Sequence, residues 1–266
     1  MSLLFFNIRS SSQGNCTYIG NHEEGILVDC GITAKCVQDS LNLMGVDPKS
    51  IRAILITHEH SDHISGVKVL AKQLSVPIMA TGKTLAYMEQ KKKIETGSQL
   101  IEIFPKQNFF LNSFEILPFS VPHDAVDPVG YRIFTGGYSA ACVTDLGYFP
   151  KRVCDMVSGS DVILLESNHD LQMIQETDKY PSFLKKRIQG KKGHMSNLTC
   201  AEATLKLSQL GTKQFLLGHL SQNTNTYEIA YHTTQQLMQK EGAVQGEDYT
   251  LDLARHDASS RIYYFK

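Results

Sequence analysis

The sequence predicts an α/β protein with mixed β-sheets, and three observations lead to that prediction. Strand-like apolar runs alternate with helical patterns along the chain. Several neighbouring runs are separated only by short turn sequences, which is typical of hairpins and not of parallel crossovers. The chain has 266 residues, 42% hydrophobic and 20% charged, which is enough for a sizeable globular core.

The first part of the chain contains four predicted strands and two predicted helices. The strands are Leu3–Ile8, Cys16–Gly20, Ile26–Asp29 and Ile51–Thr57, and turn-forming residues separate the first three. A helix fits Ala34–Met44, with Thr33 as its N-cap and Gly45 as its stop. A second helix is expected near Ser65–Leu74.

The rest of the chain contains eight further predicted strands and two well-marked helices. The strands are Ile101–Phe104, Phe114–Val121, Gly130–Phe134, Ser139–Thr144, Val162–Glu166, Gln214–Leu217, Tyr249–Leu253 and Arg261–Phe265. Thr199 with Glu202 resembles a capping box before a helix over Ala203–Leu210. Asn225 with Glu228 opens another helix that runs to about Lys240. Because no linker, repeat or low-complexity tract is present, residues 1–266 are predicted to form a single domain.

The net charge and the cysteine pattern argue against a strongly basic nucleic-acid-binding protein and against a disulfide-rich secreted protein. The net charge of −1 means that the whole molecule does not attract nucleic acid, so any anion binding must come from local patches. The six cysteines form no CxxC pair, and no secretory signal or apolar stretch of membrane-spanning length is visible. We therefore expect a reduced, cytoplasmic protein with no membrane association.

The segment THEHSDHISG places four potential metal ligands within six residues, directly after an apolar run. These are His58, His60, Asp62 and His63. Imidazole and carboxylate groups suit Zn, Mn and Fe, and such a site can leave a coordination position for water. His58 and His60 can reach one metal, and Asp62 and His63 can reach a second. Four ligands in one short turn favour a catalytic site over a structural one.

This segment resembles the HxHxDH signature of the metallo-β-lactamase fold. The resemblance implies a four-layer αββα sandwich with two mixed β-sheets and two divalent metal ions, Zn²⁺ or Mn²⁺, with Fe possible. It also implies later ligands at strand ends, which match His123 in SVPHDAVDPVGY, Asp145 in TDLGY and His219 in GHLS. One metal would be held by His58, His60 and His123, and the other by Asp62, His63 and His219. Asp145 would bridge the two metals, and Asp29 in ILVDCG would support a ligand histidine.

A closer resemblance is to the bacterial YycJ/WalJ/VicX subgroup of metallo-β-lactamase-fold exonucleases. The motifs LLESNHD, YP-x-x-LKKRI, GHMSN and GHLS-x-x-N carry it, together with the histidine segment. The sequence departs from the subgroup at Ser11, Gln13 and Met195. The resemblance implies a phosphodiesterase that acts on DNA without sequence specificity, a 5′-exonuclease that uses a metal-bridging hydroxide.

Roles can be assigned to individual residues on this basis. Asp62, Asp145 and His194 are expected to take part in catalysis, with His194 giving a proton to the leaving oxygen or holding a phosphate oxygen. Residues expected to bind substrate are Asn168, His169, Lys191, Lys192, His194, Ser196 and Asn197. Ser196 and Asn197 could equally cap the following helix, and packing is an alternative for Asn168 and His169.

Three other functions fit parts of the pattern. One is a hydrolase of a small ester, thioester or lactam, because a fold does not decide its substrate. A binding protein with a degenerate site is disfavoured, since no ligand position is substituted. An iron redox enzyme uses the same ligand types. The basic residues before His194 favour the nucleic-acid substrate, and the oligomeric state is not predicted.

Overall fold

The computed structural model describes residues 2–21 and 23–266, which form fourteen strands and nine α-helices. The strands are β1 (Leu3–Arg9), β2 (Cys16–Gly20), β3 (Gly25–Val28), β4 (Ile51–Leu55), β5 (Ile78–Ala80), β6 (Leu100–Glu102), β7 (Phe109–Leu111), β8 (Phe114–Ser120), β9 (Val129–Thr135), β10 (Tyr138–Val143), β11 (Val162–Glu166), β12 (Gln214–Gly218), β13 (Thr250–Leu253) and β14 (Tyr263–Phe265). The helices are α1 (Ala34–Leu43), α2 (Ser61–Ile64), α3 (Val67–Leu74), α4 (Gly82–Gln90), α5 (Lys151–Val157), α6 (Leu171–Glu176), α7 (Ser182–Ile188), α8 (Asn197–Gln209) and α9 (Tyr227–Lys240).

The strands form two seven-stranded sheets, in the orders β14-β1-β2-β3-β4-β5-β6 and β13-β12-β11-β10-β9-β8-β7. In the first sheet β14, β1, β2 and β3 pair antiparallel, and β3, β4, β5 and β6 pair parallel. In the second sheet β7, β8 and β9 pair antiparallel, and β11, β12 and β13 pair parallel. Both sheets are therefore mixed, which confirms the prediction.

The chain divides into two compact units. Unit 1 comprises the chain up to Ser120 together with Ala125–Ala140 and Arg255–Lys266. Unit 2 comprises Val121–Asp124 and Ala141–Ala254. The single domain over 1–266 stays a prediction.

The core of unit 1 lies where helices cover the first sheet. The apolar faces of α1, α3 and α4 contribute Leu41, Leu70 and Leu85 to one buried cluster with Phe6 and Ile54. Removing such side chains from water supplies about 1.5–3 kcal/mol each. At the start of α1, Thr33 accepts a hydrogen bond from the Cys36 amide at 3.2 Å, so the predicted N-cap is confirmed.

Two hydrogen bonds in unit 1 fix the chain just before the histidine segment. The hydroxyl of Tyr131 on β9 donates to the Ile56 carbonyl at 2.7 Å. The amide of Val129 donates to the Thr57 carbonyl at 3.0 Å. Since both carbonyls lie beyond the end of β4, these bonds position the turn that carries the ligands.

Unit 2 contains the parallel strands β11, β12 and β13 and the two longest helices. Every residue of β11 is buried, as a near-continuous apolar run predicts. Helix α8 begins earlier than predicted, because Ser196 and not Thr199 is its N-cap: the Ser196 hydroxyl accepts from the Thr199 amide at 3.2 Å. Helix α9 is capped by Thr226 in place of Asn225.

The remaining differences from the sequence predictions concern short elements. The helix expected near Ser65–Leu74 is α3, which begins at Val67, and a separate short helix that was not predicted, α2, precedes it within the histidine segment. Strands β5 and β7 and helices α4, α5, α6 and α7 were not predicted. Of the helices in residues 2–21 and 23–266, none combines the length and the apolar character that crossing a membrane requires.

Candidate metal centre

The candidate ligands follow the ends of strands, and three functional positions have a left-handed backbone there. Asp29 follows β3, Asp145 follows β10 and His219 follows β12, with φ angles of 61°, 60° and 56°. Such angles are uncommon for residues other than glycine, and they cluster at functional sites.

The other non-glycine residues with positive φ angles in the described chain differ from these three in their exposure to solvent. They belong to Ser75, Lys92, Lys106 and Asn112, all of which are exposed. Asp29, Asp145 and His219 are instead buried. In a buried position the unusual backbone turns the chain sharply at the strand end and aims the side chain, and it is not simply a surface turn.

Unit 1 brings the residues of the histidine segment together in two pairs. His58 Nε2 lies 3.0 Å from His60 Nδ1. His63 Nε2 lies 3.3 Å from Asp62 Oδ2. These pairs are the ones expected to serve two different metals.

Asp29 is placed against the nitrogen of His63 that faces away from Asp62. Its Oδ2 accepts from His63 Nδ1 at 2.8 Å and from the Thr57 hydroxyl at 2.8 Å, and its Oδ1 accepts from the Thr57 amide at 2.8 Å. The Thr57 oxygen in turn lies 3.0 Å from His58 Nδ1. Because Nδ1 of each ring faces Asp29 or Thr57, Nε2 is the nitrogen that faces another candidate ligand, His60 for His58 and Asp62 for His63.

Sequence reasoning missed Asn15, which also contacts this pair. Its backbone amide donates to the Asp62 carbonyl at 2.8 Å. Its side-chain amide lies 3.3 Å from Asp62 Oδ2 and 3.1 Å from His63 Nε2. A Cβ on nearby Gly31 would stand 1.5 Å from the Asp62 carbonyl oxygen, so only glycine lets this loop approach. The turn sequence SSSQGN indicated a turn but gave no sign of this contact.

Unit 2 gathers the other candidate ligands around Asp145. Asp145 Oδ1 lies 3.7 Å from His123 Nε2 and 3.6 Å from His219 Nε2. His123 Nδ1 donates to the Gly193 carbonyl at 3.1 Å, which again leaves Nε2 facing the carboxylate. A set of ligand atoms from Asp145, Glu166, His194 and His219 lies within 4.8 Å of one another.

Glu166 is a second candidate functional residue that sequence reasoning missed. It is fully buried at the end of β11, and its Oε1 accepts from both His194 Nδ1 and His219 Nδ1 at 2.8 Å. Its Oε2 accepts from the Leu146 and Met195 amides at 2.9 and 3.2 Å. Burial acts to raise the pKa of this carboxyl, but the charges and hydrogen bonds of His194 and His219 outweigh it and lower the pKa to about 2. A carboxylate directly after an apolar strand was the available signal.

Asn168 and His169, both expected to bind substrate, are buried in the structure. Asn168 is buried and donates to the His219 carbonyl at 2.8 Å. His169 is buried, burial lowers its pKa to about 4, and its Nδ1 has no hydrogen-bond partner among the described residues. Asn168 thus supports the loop after β12, whereas the backbone of His169 pairs with the segment before α8, where its carbonyl accepts from the Asn197 amide at 2.9 Å. The substrate role of both residues stays a prediction.

Ser196 and Asn197 are similarly engaged. Ser196 caps α8, as described above. The Asn197 side chain accepts from the Ser167 hydroxyl at 2.7 Å and exchanges two bonds of 2.8 Å with the Asn225 amide. Lys191 and Lys192 are exposed, and His194 keeps 16% of its side chain exposed. Of the predicted substrate residues, these last three are therefore the ones open to a ligand.

The donor atoms fit a divalent metal. At a zinc–nitrogen distance of about 2.0–2.1 Å, tetrahedral geometry separates two ligand atoms by about 3.3 Å. The pairs within each unit span 3.0–3.7 Å. Imidazole nitrogens that are oriented by hydrogen bonds, together with carboxylates, are also the ligands that such metals take.

Comparison with known proteins identifies the fold as that of a family of metal-binding hydrolases. The sequence model of the family described as "Beta-lactamase superfamily domain" matches residues 25–220. The chain is 32% identical to exodeoxyribonuclease YycJ of Bacillus anthracis over 98% of this chain and 97% of that protein. It is 37% identical to exodeoxyribonuclease WalJ of Streptococcus pneumoniae over 85% of this chain and 84% of that protein. The chain belongs to the beta-lactamase superfamily and, within it, to the family of YycJ and WalJ.

A solved structure shows the same fold at low sequence identity. The metallo-β-lactamase-fold protein YhfI of Bacillus subtilis superimposes with a TM-score of 0.75, covering 99% of this chain and 100% of YhfI, at 18% identity. The predicted metallo-β-lactamase fold with two mixed sheets and flanking helices is thus confirmed. Family membership and the histidine and carboxylate clusters both indicate divalent metal binding.

Proposed function

We propose that this protein is a metal-dependent exodeoxyribonuclease that hydrolyses phosphodiester bonds from the 5′ end of DNA. The observation that carries the proposal is the near-full-length similarity to YycJ, a protein named exodeoxyribonuclease. No expected ligand is replaced in this chain. The relatives' names and the exposed lysines near His194 give no support to a small ester, thioester or lactam as substrate.

Seven residues would hold two divalent metal ions. His58, His60 and His123 would hold one, Asp62, His63 and His219 the other, and Asp145 would bridge. When bound, two such ions lower the pKa of water and stabilise negative charge on phosphate oxygens. The ligand types are compatible with Zn²⁺, Mn²⁺ or Fe.

The chain itself controls the orientation and protonation of the ligand imidazoles. Asp29 holds the proton of His63 on Nδ1, and Glu166 does the same for His219. In the neutral form of each ring the lone pair would therefore lie on Nε2, which faces its carboxylate neighbour, Asp62 for His63 and Asp145 for His219. Fixing these tautomers before the metal arrives removes an ordering cost from metal binding.

His194 is the residue that we expect to act on the leaving group. Because its Nδ1 donates to Glu166, the proton that this imidazole can give away is the one on Nε2. The partly exposed ring lies beside His123 and His219, with ring centres 5.1 and 5.3 Å away. A protonated His194 would donate to the leaving oxygen, with the Glu166 carboxylate stabilising the imidazolium.

Local positive charge would supply substrate binding. Lys191 and Lys192 are exposed in the turn that leads to His194, where they can contact phosphates in any sequence. Binding should therefore weaken with salt and show no base specificity. We place the enzyme in the cytoplasm, where its six free cysteines stay reduced.

The test is digestion of DNA labelled at the 5′ or the 3′ end, both duplex and single-stranded, by protein loaded with Mn²⁺ or Zn²⁺. Asp145→Asn removes the bridging charge and keeps a residue that tolerates the left-handed backbone. The matched control is Asp155→Asn, which alters an exposed carboxylate of the same unit.

We expect wild type and Asp155→Asn to release nucleotides and Asp145→Asn to be inactive. The label that is lost first gives the polarity. If wild type and Asp145→Asn are equally inert on every DNA with either metal, the DNA substrate is wrong. Release from internal positions or from the 3′ end would refute the 5′-exonuclease assignment but keep the phosphodiesterase.

A further inference from the structure

A buried pair of asparagines in unit 2 joins the loop that carries His194 to the loop that carries His219. Asn197, the first residue of α8, lies three residues after His194, and Asn225 lies six residues after His219. Each side-chain amide donates to the oxygen of the other at 2.8 Å, and the two residues are 2% and 5% exposed. A buried polar network whose members are hydrogen-bonded holds one arrangement, because a shift would leave a donor or an acceptor unpaired away from water. The pair therefore fixes the spacing between the two loops.

The same pair also holds the chain directly after Glu166. The Asn225 amide donates to the Ser167 and Asn168 carbonyls at 2.8 and 3.1 Å. The Ser167 hydroxyl donates to the Asn197 side-chain oxygen at 2.7 Å. The pair thus joins three segments of the chain: the end of β11 and the loops of the two histidines.

Backbone hydrogen bonds align the end of β11 with each of those loops in turn. The Asn168 amide donates to the Met195 carbonyl at 2.9 Å, in the loop before α8. The Ser167 amide donates to the Gly218 carbonyl at 2.9 Å, and the Ser221 amide donates to the Asn168 carbonyl at 2.8 Å, in the loop after β12. These bonds set the register of the middle segment with its two neighbours. The asparagine pair adds a direct connection between the neighbours themselves.

The spacing of the two loops decides whether Glu166 can reach both histidines. One oxygen, Oε1, accepts from His194 Nδ1 and from His219 Nδ1, each at 2.8 Å. The centres of the two rings lie 5.3 Å apart. Hydrogen bonds weaken steeply outside a narrow range of distance and angle, so one oxygen can serve two rings only while both rings are held in place. A shift of either loop would break one of these bonds.

We infer that Asn225 is a positioning residue of the candidate metal centre. Through its pair with Asn197, it sets the loop spacing at which Glu166 orients two histidines. The inference rests on the proposed function and adds to it a residue that acts through others. A purely structural role would require only that loss of Asn225 lowers stability. A positioning role requires that the imidazole hydrogen bonds and the metal affinity change in protein that is still folded.

The orientation of the Asn225 amide supplies a substitution that keeps the shape of the side chain. Its nitrogen faces the Ser167 and Asn168 carbonyls, and its oxygen accepts from the Thr226 backbone amide at 3.0 Å. An aspartate at this position would place a second oxygen against the two carbonyls. Asn225→Asp should therefore disrupt the spacing as Asn225→Ala does.

The experiment makes two measurements on the full chain, after circular dichroism has shown that each variant is folded. The first is the proton NMR spectrum of the imidazole N–H groups in metal-free protein, where a hydrogen bond to a carboxylate moves the proton signal downfield. The second is the affinity for Zn²⁺, measured by competition with a chromophoric chelator. The variants are Asn225→Ala, Asn225→Asp and Asn197→Ala, and Glu166→Gln identifies the signals that depend on its carboxylate. The matched control is Thr226→Ala, which removes the N-cap of α9 and leaves the asparagine pair in place.

We expect both Asn225 variants to broaden or lose the signals that Glu166→Gln removes. Their Zn²⁺ affinity should fall about tenfold, the lower end of the range for groups that orient metal ligands. Thr226→Ala should keep the signals and the affinity of wild type, although it is less stable. The signal of His63 bonded to Asp29 should be unchanged throughout, because that bond lies in unit 1.

Asn197→Ala decides the question if neither Asn225 variant folds. It removes the connection between the loops but leaves Asn225 bonded to the Ser167 and Asn168 carbonyls, so it should broaden the same signals and lower the affinity by a smaller factor.

Two results would overturn the inference. In one, the folded asparagine variants keep the signals and the affinity of wild type. In the other, Thr226→Ala loses both to the same extent, which would mean that any destabilisation of α9 has this effect. The proposed function fails separately, when wild type releases no nucleotides from DNA. The imidazole signals of the metal-free protein then still decide whether Asn225 positions the histidines.

Discussion

The two units assemble their candidate ligands in opposite ways. In unit 1 they occupy His58 to His63, six consecutive residues after one strand. In unit 2 they come from separate loops, after β10 and β12 and from the loop at His123. Sequence spacing brings the first set close together, whereas the second set depends on the register of parallel strands and on contacts between distant loops.

The two units nevertheless orient a candidate ligand histidine in the same way. Each contains a buried carboxylate that holds the Nδ1 atom of a candidate ligand: Asp29 holds His63, and Glu166 holds His219. Each carboxylate also accepts from backbone amides of its own unit. The difference is that Glu166 holds His194 as well, and so joins a ligand to a candidate proton donor. In unit 1 the carboxylate supports one candidate ligand, whereas in unit 2 it ties together two loops, those of His194 and His219.

The largest expected effect comes from a substitution at Gly31, which tests whether the segment from His58 to His63 depends on a neighbouring loop for its conformation. In Gly31→Ala the new Cβ would meet the Asp62 carbonyl oxygen at 1.5 Å, so the loop or the histidine segment must shift. We expect a loss of about 3 kcal/mol in the free energy of unfolding, measured with urea, together with loss of bound metal. Gly45→Ala is the control, because Gly45 has open space around it and only its left-handed backbone resists a side chain. We expect this variant to lose about 1–2 kcal/mol in the free energy of unfolding. A smaller loss for Gly31→Ala than for Gly45→Ala would contradict the tight contact.

The second prediction compares the two supporting carboxylates directly. Glu166→Gln and Asp29→Asn each keep the side-chain shape and remove the charge. We expect Glu166→Gln to lower nuclease activity about 100-fold and Asp29→Asn about 10-fold, because support of this kind is worth 10–100-fold and Glu166 acts on two histidines. Metal stoichiometry should fall in both variants.

The pH dependence of activity separates the two carboxylates further. Only Glu166→Gln should change the pH profile of kcat, since only Glu166 contacts His194. Equal losses with unchanged pH profiles in both variants would mean that His194 has no part in proton transfer.

The same contrast explains how much the sequence could predict. The pairing of His58 with His60 and of Asp62 with His63 follows from spacing within one turn, and the structure has those pairs. The contacts of Glu166 join residues 28 and 53 positions apart, and no local pattern carries that information. His123, Asp145 and His219 were found only because the resemblance supplied a chain order to search.

The accuracy of the predicted secondary structure also depended on how much local pattern each element carries. Long, strongly patterned elements such as β11 and α1 were predicted closely. Strands of three residues, such as β5 and β7, are too short to show a period. The N-cap of α1 was predicted correctly, and Ser196 was one of two candidates for α8, whereas the cap of α9 was placed one residue too early. Several hydroxyl and amide residues precede α8 and α9, and only the backbone turn decides which of them binds the free amides.

A third prediction asks whether Ser196 binds substrate or serves α8. Ser196→Ala and Thr226→Ala remove the N-caps of α8 and α9, whose hydroxyls accept from backbone amides at 3.2 and 3.1 Å. Each substitution should lower the free energy of unfolding, measured with urea, by about 1 kcal/mol. The KM for DNA should stay within a factor of two in both. If Ser196→Ala raises KM tenfold while Thr226→Ala does not, Ser196 contacts the substrate, as the sequence predicted.

The smallest expected effect concerns an acid-sensitive contact of unit 1 that lies outside the ligand set. Glu24, in the β2–β3 turn, accepts from the Asn112 side chain at 2.7 Å and from the Ser113 amide and hydroxyl at 3.1 and 2.6 Å. Burial acts to raise the Glu24 pKa, but hydrogen bonds from Ser113, Asn112 and Arg52 outweigh it and lower the pKa below its usual value.

A lowered pKa in the folded state means that this carboxylate stabilises unit 1 above the ordinary pKa of a glutamate and stops doing so as the pH falls through the lowered value. Glu24→Gln should therefore cost about 1 kcal/mol at pH 7, and the difference from wild type should shrink below about pH 4. Urea unfolding of both proteins between pH 3 and 7 measures it. A difference that is constant over this range would mean that Glu24 acts through packing and not through its charge. Because Glu24 contacts no candidate ligand, the metal content at pH 7 should match wild type, and this separates the stability of unit 1 from the assembly of its metal-binding segment.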